Sequence, residues 1–262
     1  MSYYPILSSP RCDGWVDLCN FAPNDWEITE ITDAVISVNW AKDDIWHSRM
    51  LDLLKPGNFR RVRASDIASI VPKSVLPILS MSSNVLPEKS MKIPESIGRV
   101  TVAPSWRATI GLDSEAASTS YQGELDPFSP NGSLLTFGPF LQFGSDIDNY
   151  LILVNLESSP RPRTASLEIY NAEQMRILDT KIIHNNSVNI INLDSFGFNG
   201  ADLPVFICKE MSGIPLYFSA TSDRRFLSLE HSHPPASSVI HGDRLEVQRL
   251  LKRRWLKRAT GC

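Results

Sequence analysis

The sequence predicts a mainly β protein: an antiparallel β-sandwich or jelly-roll-like body with a small helical N-terminal region and a C-terminal amphipathic helix. From residue 99 onwards, short segments of alternating apolar and polar residues follow one another, with turn residues between them and no helical periodicity. Such spacing is typical of antiparallel sandwiches and barrels. Residues 150–156 are almost continuously apolar, which predicts a central strand covered on both faces.

The composition is that of a globular chain. The 262 residues are 42% hydrophobic and 21% charged, which excludes a disordered chain. A net charge of −3 is too small to imply a nucleic-acid partner by itself, so nucleic acid is not expected as the main partner. The start lacks the features of a secretory signal, no apolar run is long enough for a transmembrane segment, and the four cysteines match neither a metal motif nor a disulfide framework. These features predict a cytoplasmic protein.

Composition and patterning divide the chain into four predicted segments. They are an N-terminal mixed or helical region (1–71), a Pro/Ser-rich linker (72–98), the β-sandwich domain (99–235) and a C-terminal helix (236–262). In the first segment, Ile45, Met50 and Leu54 suit one face of a helix, and Pro56 follows. We therefore predict a helix over 41–54, preceded by a short strand over 33–40.

Eight or more strands are predicted in the third segment. The expected strand segments are 99–104, 105–112, 118–125, 133–143, 150–156, 164–170, 175–183, 188–193, 204–208, 214–219 and 227–233. Pro215 cannot donate a hydrogen bond to a neighbouring strand, so it predicts an edge strand or a bulge at 214–219. Cys208 is expected to be a small buried apolar residue.

The C-terminal segment has an apolar stripe and a basic second half. Leu245, Leu251 and Trp255 recur at helical spacing, and six Lys or Arg residues crowd positions 249–258. Two interpretations are open: the helix docks on the β body, or it binds an anionic surface such as lipid, nucleic acid or an acidic protein. The apolar stripe favours docking.

A first candidate site lies in the sequence YQGELD. Strand alternation places Gln122, Glu124 and Asp126 on one face, beside Tyr121. Two carboxylates with an amide nearby can bind sugar hydroxyls or act as an acid/base pair. Carbohydrate is therefore a candidate ligand here. The alternative is the ordinary solvent-facing side of a half-exposed strand.

A second candidate site is a histidine cluster. His231 and His233 are spaced by two at the end of a predicted strand, and His241 follows Pro234 and Pro235. Such a pair resembles the one in cupin barrels, although the glutamate that follows it there is absent. Imidazole nitrogens bind divalent transition metals, and a third ligand would complete a site. The alternative is a set of structural histidines that hold a loop in place.

These patterns support three functions. The leading hypothesis is a non-catalytic β-sandwich binding or accessory module that recognises carbohydrate. The second is a metal-dependent enzyme of jelly-roll or cupin-like architecture that uses the histidine cluster. The third is a structural or interaction protein with a basic C-terminal helix. The sequence contains no P-loop, no G-x-G-x-x-G and no G-x-S-x-G motif, so nucleotide-dependent and serine-hydrolase chemistry have no support.

The metal hypothesis predicts stoichiometric transition metal in protein purified without an affinity tag. His231→Ala and His233→Ala should each release that metal, because a site that loses one of three protein ligands binds weakly. Elemental analysis of the wild-type protein and both variants measures this. Metal-free wild-type protein, with both variants folded normally, would exclude the enzyme hypothesis.

Overall fold

The computed structural model describes residues 3–20, 32–96, 109–138, 141–174 and 176–231, together with Arg254 and Lys257. It confirms the predicted mainly β class, but the described residues contain almost no helix, so the predicted helical N-terminal region is not seen. The elements in chain order are β1 (Tyr4–Pro5), β2 (Asp13–Cys19), β3 (Ala34–Lys42), β4 (Ile45–Leu54), β5 (Phe59–Arg63), α1 (Ala64–Ile67), β6 (Ile78–Ser82), β7 (Lys89–Ser90), β8 (Thr109–Asp113), β9 (Ser118–Gln122), β10 (Leu134–Phe137), β11 (Ile147–Asn155), β12 (Thr164–Asn171), β13 (Arg176–His184), β14 (Ser187–Asn192), a 3-10 turn (Asp194–Phe196), β15 (Pro204–Cys208), β16 (Ile214–Thr221) and β17 (Leu227–His231).

The described strands form four antiparallel sheets. Sheet I has the order β1-β6-β3-β4-β7, and sheet II has the order β5-β2-β8-β9. Sheet III has the order β14-β11-β16-β17, and sheet IV has the order β10-β15-β12-β13. Sheets I and II are therefore built from the first half of the chain, and sheets III and IV from the second half.

Strand β11 is buried on both faces, as its continuous apolar run predicts. Ile152 and Val154 belong to the largest apolar cluster, which also holds the inward side chains of sheets I and II. Leu151 and Leu153 belong to a second cluster, shared with sheet IV. Because successive side chains of a strand point to opposite faces, one strand serves both cores.

The predicted helix over 41–54 is wrong. This segment is the second half of a β-hairpin, in which β4 pairs with β3 across a turn at Asp43 and Asp44. Both turn residues have positive φ, 54° and 62°, as two-residue hairpin turns require, and Asp tolerates this conformation better than most residues. Met50 is 44% exposed, so an apolar residue assigned to a helical core face lies at the surface. The strand predicted over 33–40 is confirmed.

The segment predicted as a linker contributes a strand to the interior of sheet I. All five residues of β6 are buried, and β6 lies between β1 and β3. The helical content of the first 71 residues is limited to α1 among the described residues. The predicted domain boundaries themselves stay predictions.

Pro215 lies in an internal strand, against the prediction. Strand β16 is flanked by β11 and β17, and the described part of β17 pairs with it from Leu216 to Ala220. At Pro215 the neighbour among the described residues is β11, through Leu153. The burial predicted for Cys208 is confirmed.

The predicted C-terminal helix lies outside the described residues, except for Arg254 and Lys257. Both are helical and exposed. The docking of Leu245, Leu251 and Trp255 stays a prediction. Within the described part of the chain, no helix has the length and apolar character needed to cross a membrane.

Leu153→Ala should lower the free energy of unfolding by about 2 to 5 kcal/mol, because it leaves a cavity between sheets III and IV. Leu153 is fully buried in the second cluster. Leu53→Ala is the matched control, since Leu53 is 45% exposed and should change stability by less than about 1 kcal/mol. Urea denaturation of both variants measures the difference. Equal effects would contradict the two-sided burial of β11.

Candidate functional site

The structure divides the first predicted site. Burial alternates from Tyr121 onwards: Gly123 and Leu125 are buried, whereas Gln122 and Asp126 are exposed and Glu124 is intermediate. Tyr121 packs against the largest apolar cluster from the inner side. Gln122 and Asp126 are exposed, one carboxylate oxygen of Glu124 is buried, and Tyr121 does not lie on the exposed side with Gln122 and Asp126.

Tyr121 instead meets His231 from the second predicted site. The Tyr121 hydroxyl lies 3.1 Å from His231 Nδ1, and the two ring centroids are 5.4 Å apart. Burial raises the pKa of Tyr121, and the nearby charge of Glu230 raises it further. The phenol therefore stays protonated at neutral pH and can donate to a neutral imidazole. This contact joins β9 of sheet II to β17 of sheet III, which is a structural role.

The described residues do not test the metal hypothesis, which stays a prediction. Among the described residues, no group of three or more His, Cys, Asp or Glu side chains is arranged to hold a metal ion. His233 and His241 lie outside the described residues. Tyr121 occupies the Nδ1 side of His231, so metal binding by this histidine would use Nε2.

The outer face of sheet II carries a network of aromatic and charged side chains. Gly111 lets the Trp15 ring lie flat on the sheet, because a Cβ there would be 2.3 Å from the ring. The Arg61 guanidinium covers the other face of the ring, 3.8 Å from its centroid. Trp15 is only 4% exposed as a result, and it is not available as a stacking platform.

The carboxylates of this network are paired. Arg61 donates two hydrogen bonds to Asp17, at 2.8 and 2.7 Å. Asp113 accepts a 2.6 Å hydrogen bond from the Trp15 indole and pairs with Arg63 at 2.7 Å. The network stabilises the sheet, and its polar groups are already used within the protein.

A cleft of about 370 Å³ lies at the β7 edge of sheet I. Trp40, His47 and Lys89 form a row across three strands, since Trp40 is opposite His47 and His47 is opposite Lys89. The Trp40 and His47 rings stack almost parallel, with centroids 5.4 Å apart and planes 9° apart. Ser69 and Ile70, which follow α1, also line the cleft.

Two polar groups of this cleft make few contacts within the described part of the protein. His47 Nε2 is buried and has no hydrogen-bond partner among the described residues. Arg49 lies 3.9 Å from Glu88, and both side chains are largely exposed, at 63% and 83%. Because Nε2 is itself inaccessible, His47 presents the other atoms of its side chain to the cleft.

Sequence reasoning missed this cleft because it assigned a helix to the segment. One signal could have found it: Asp43-Asp44 is flanked by alternating side chains, and a two-residue hairpin turn there places position 40 opposite 47. Counting outward from such a turn pairs 42 with 45, 41 with 46 and 40 with 47, so Trp40 and His47 are cross-strand neighbours. The contribution of Lys89, from a two-residue strand, has no such local signal.

Comparisons with known proteins give no indication of function, so any functional assignment rests on the geometry of the site. No family model matches the chain, and no match was found among curated proteins or solved structures.

Asp113→Asn should destabilise the protein by about 1 to 3 kcal/mol at pH 7, the usual worth of hydrogen bonds to a charged group. Burial raises the pKa of Asp113, but hydrogen bonds from Ser118, Arg63 and Trp15 outweigh it and hold the pKa below its ordinary value. A depressed native pKa adds stability above the ordinary pKa of about 4, and this stability disappears as the pH falls through the native value.

The difference between wild type and Asp113→Asn should therefore shrink as the pH is lowered from 5 toward 2. Urea denaturation over this range measures it. Asp33→Asn is the control, because Asp33 is exposed and has no side-chain partner among the described residues. A wild-type advantage that is constant down to pH 2 would contradict the assignment.

Proposed function

We propose that the protein is a non-catalytic binding module and that it binds carbohydrate in the cleft at Trp40 and His47. The observation that carries the proposal is the stacked Trp40–His47 pair in the lining of a concave site. Ligand sites typically combine apolar and aromatic walls with a few convergent polar groups. The cleft has both.

The chemistry of the lining suits a sugar ring. A pyranose has an apolar C–H face that packs on an aromatic surface and a polar rim of hydroxyls. Trp40, His47 and Ile70 offer ring and apolar surface, and the Ser69 hydroxyl offers a hydrogen bond at its margin. A volume of about 370 Å³ is at the small end of ligand sites, which fits one or two sugar rings.

Binding is favoured over hydrolysis by the shortage of carboxylates. Glycosidases use two carboxyl groups, one on each side of the scissile bond. Among the described residues that line the cleft, Glu88 is the one carboxylate, and it is 83% exposed beside Arg49. The described lining therefore lacks the second carboxylate that glycoside hydrolysis uses.

The architecture supports the proposal at the level of analogy. Sheets III and IV share the second apolar cluster face to face, which supports an antiparallel sandwich in the second half of the chain. Sandwiches host many functions, so the ligand class rests on the cleft itself and not on the fold. Gln122, Glu124 and Asp126 stay a predicted second sugar contact on another surface.

Trp40→Ala should weaken binding of any sugar found on a glycan array by about tenfold or more, because it removes the aromatic wall. Isothermal titration with the array hit measures the change. His47→Ala should act in the same direction, and it avoids the partial packing of Trp40 against the core. Phe59→Ala is the matched control, since Phe59 is an aromatic residue that is 66% exposed elsewhere.

Glu124→Ala separates the two candidate surfaces. If Glu124→Ala abolishes sugar binding and the cleft variants do not, the site is the one that the sequence predicted. If the array shows no sugar bound at all, the carbohydrate proposal is wrong. Thermal melts of every variant show whether a loss of binding reflects a loss of folding.

A further inference from the structure

The rim of the cleft carries two cations that flank the same histidine. Arg49 follows His47 by two residues on β4, so both side chains project from the same face of the strand. Lys89 is directly opposite His47 on β7. His47 therefore has one cation along its own strand and another across the sheet, each at about one side-chain spacing.

These cations are weakly neutralised by the protein. The Arg49–Glu88 pair is 3.9 Å long and exposed, a class of ion pair that contributes little. Lys89 has no ion pair with any described residue. The described lining of the cleft thus carries two cations, Arg49 and Lys89, against one carboxylate, Glu88, although the whole chain carries a net charge of −3. A concave site with an excess of one sign of charge concentrates ligands of the opposite sign.

We infer that the cleft selects acidic saccharides, with the anionic group of the sugar held between Arg49 and Lys89 and the ring packed against Trp40 and His47. This inference rests on the proposed function and adds the substrate class. A guanidinium binds a carboxylate or sulfate through two parallel hydrogen bonds, and an ammonium adds a compact point charge. The stacked rings supply the neutral part of the recognition.

Three probes of similar shape test the role of charge. They are a galacturonic acid disaccharide, its methyl ester, and a galactose disaccharide with one sulfate ester. The acid should bind about tenfold or more tightly than the ester, because the ester lacks the charge-assisted hydrogen bonds. The sulfated disaccharide shows whether the site takes anions in general or carboxylates in particular. Affinity for the acid should fall as salt is added, since the rim is exposed.

Variants that remove a single positive charge identify the side chains that bind the anion. Arg49→Gln and Lys89→Gln should each weaken binding of the acid by about tenfold and leave the ester unchanged. Arg225→Gln is the matched control, since Arg225 is an exposed arginine whose ion pair with Asp223, at 3.5 Å, resembles that of Arg49. Glu88→Gln should strengthen binding of the acid a few-fold, and a gain of this kind cannot come from misfolding.

The outcomes separate this inference from the function it rests on. If the ester binds as tightly as the acid, the selection for acidic sugars is wrong and the carbohydrate module stands. If Arg49→Gln weakens acid and ester equally, Arg49 shapes the cleft and does not bind the anion, which also overturns the inference. If neither these probes nor any glycan on the array binds, both proposals fail together.

Discussion

The two-sided burial of β11 is the constraint on which the rest of the structure depends. Ile152 and Val154 complete the core under sheets I and II, and Leu151 and Leu153 complete the core against sheet IV. No residue between positions 150 and 156 is more than 9% exposed. Since side chains of a strand alternate, each side chain of this run enters one core or the other, and the amide of the one Asn, Asn155, is fully buried and donates to the Ser212 carbonyl. Both halves of the chain are therefore built around one strand of the second half.

Specific contacts join the two halves around this strand. The Trp46 indole donates to the Ser158 carbonyl at 2.9 Å, and Tyr121 meets His231 at 3.1 Å. Trp46 belongs to the same hairpin as Trp40 and His47, and it projects from the opposite face of β4 into the core. One face of the hairpin thus connects sheet I to the second half of the chain, and the other face lines the cleft.

The helix predicted over 41–54 concealed the cleft, because the cleft depends on the β3–β4 hairpin that this segment forms. Ile45, Met50 and Leu54 match a helical spacing, but the same segment also alternates as a strand with an Asp-Asp turn before it. The two patterns compete over a short window, and the sheet decides between them by supplying partners for β3 and β4 on both sides. With the helix assumed, Trp40 and His47 lie far apart; with the hairpin, their rings stack at 5.4 Å.

The sequence by itself determined the β class, most strands after residue 108 and the double burial of β11, because these follow from alternation and from continuous apolar runs. The tertiary structure decided the rest: the strand made by 78–82, the internal place of Pro215, the Tyr121–His231 contact and the cleft. Each of these depends on which distant strand lies beside a given residue. Pairing between distant strands is set by the packing of whole sheets, and no local pattern of side chains encodes it.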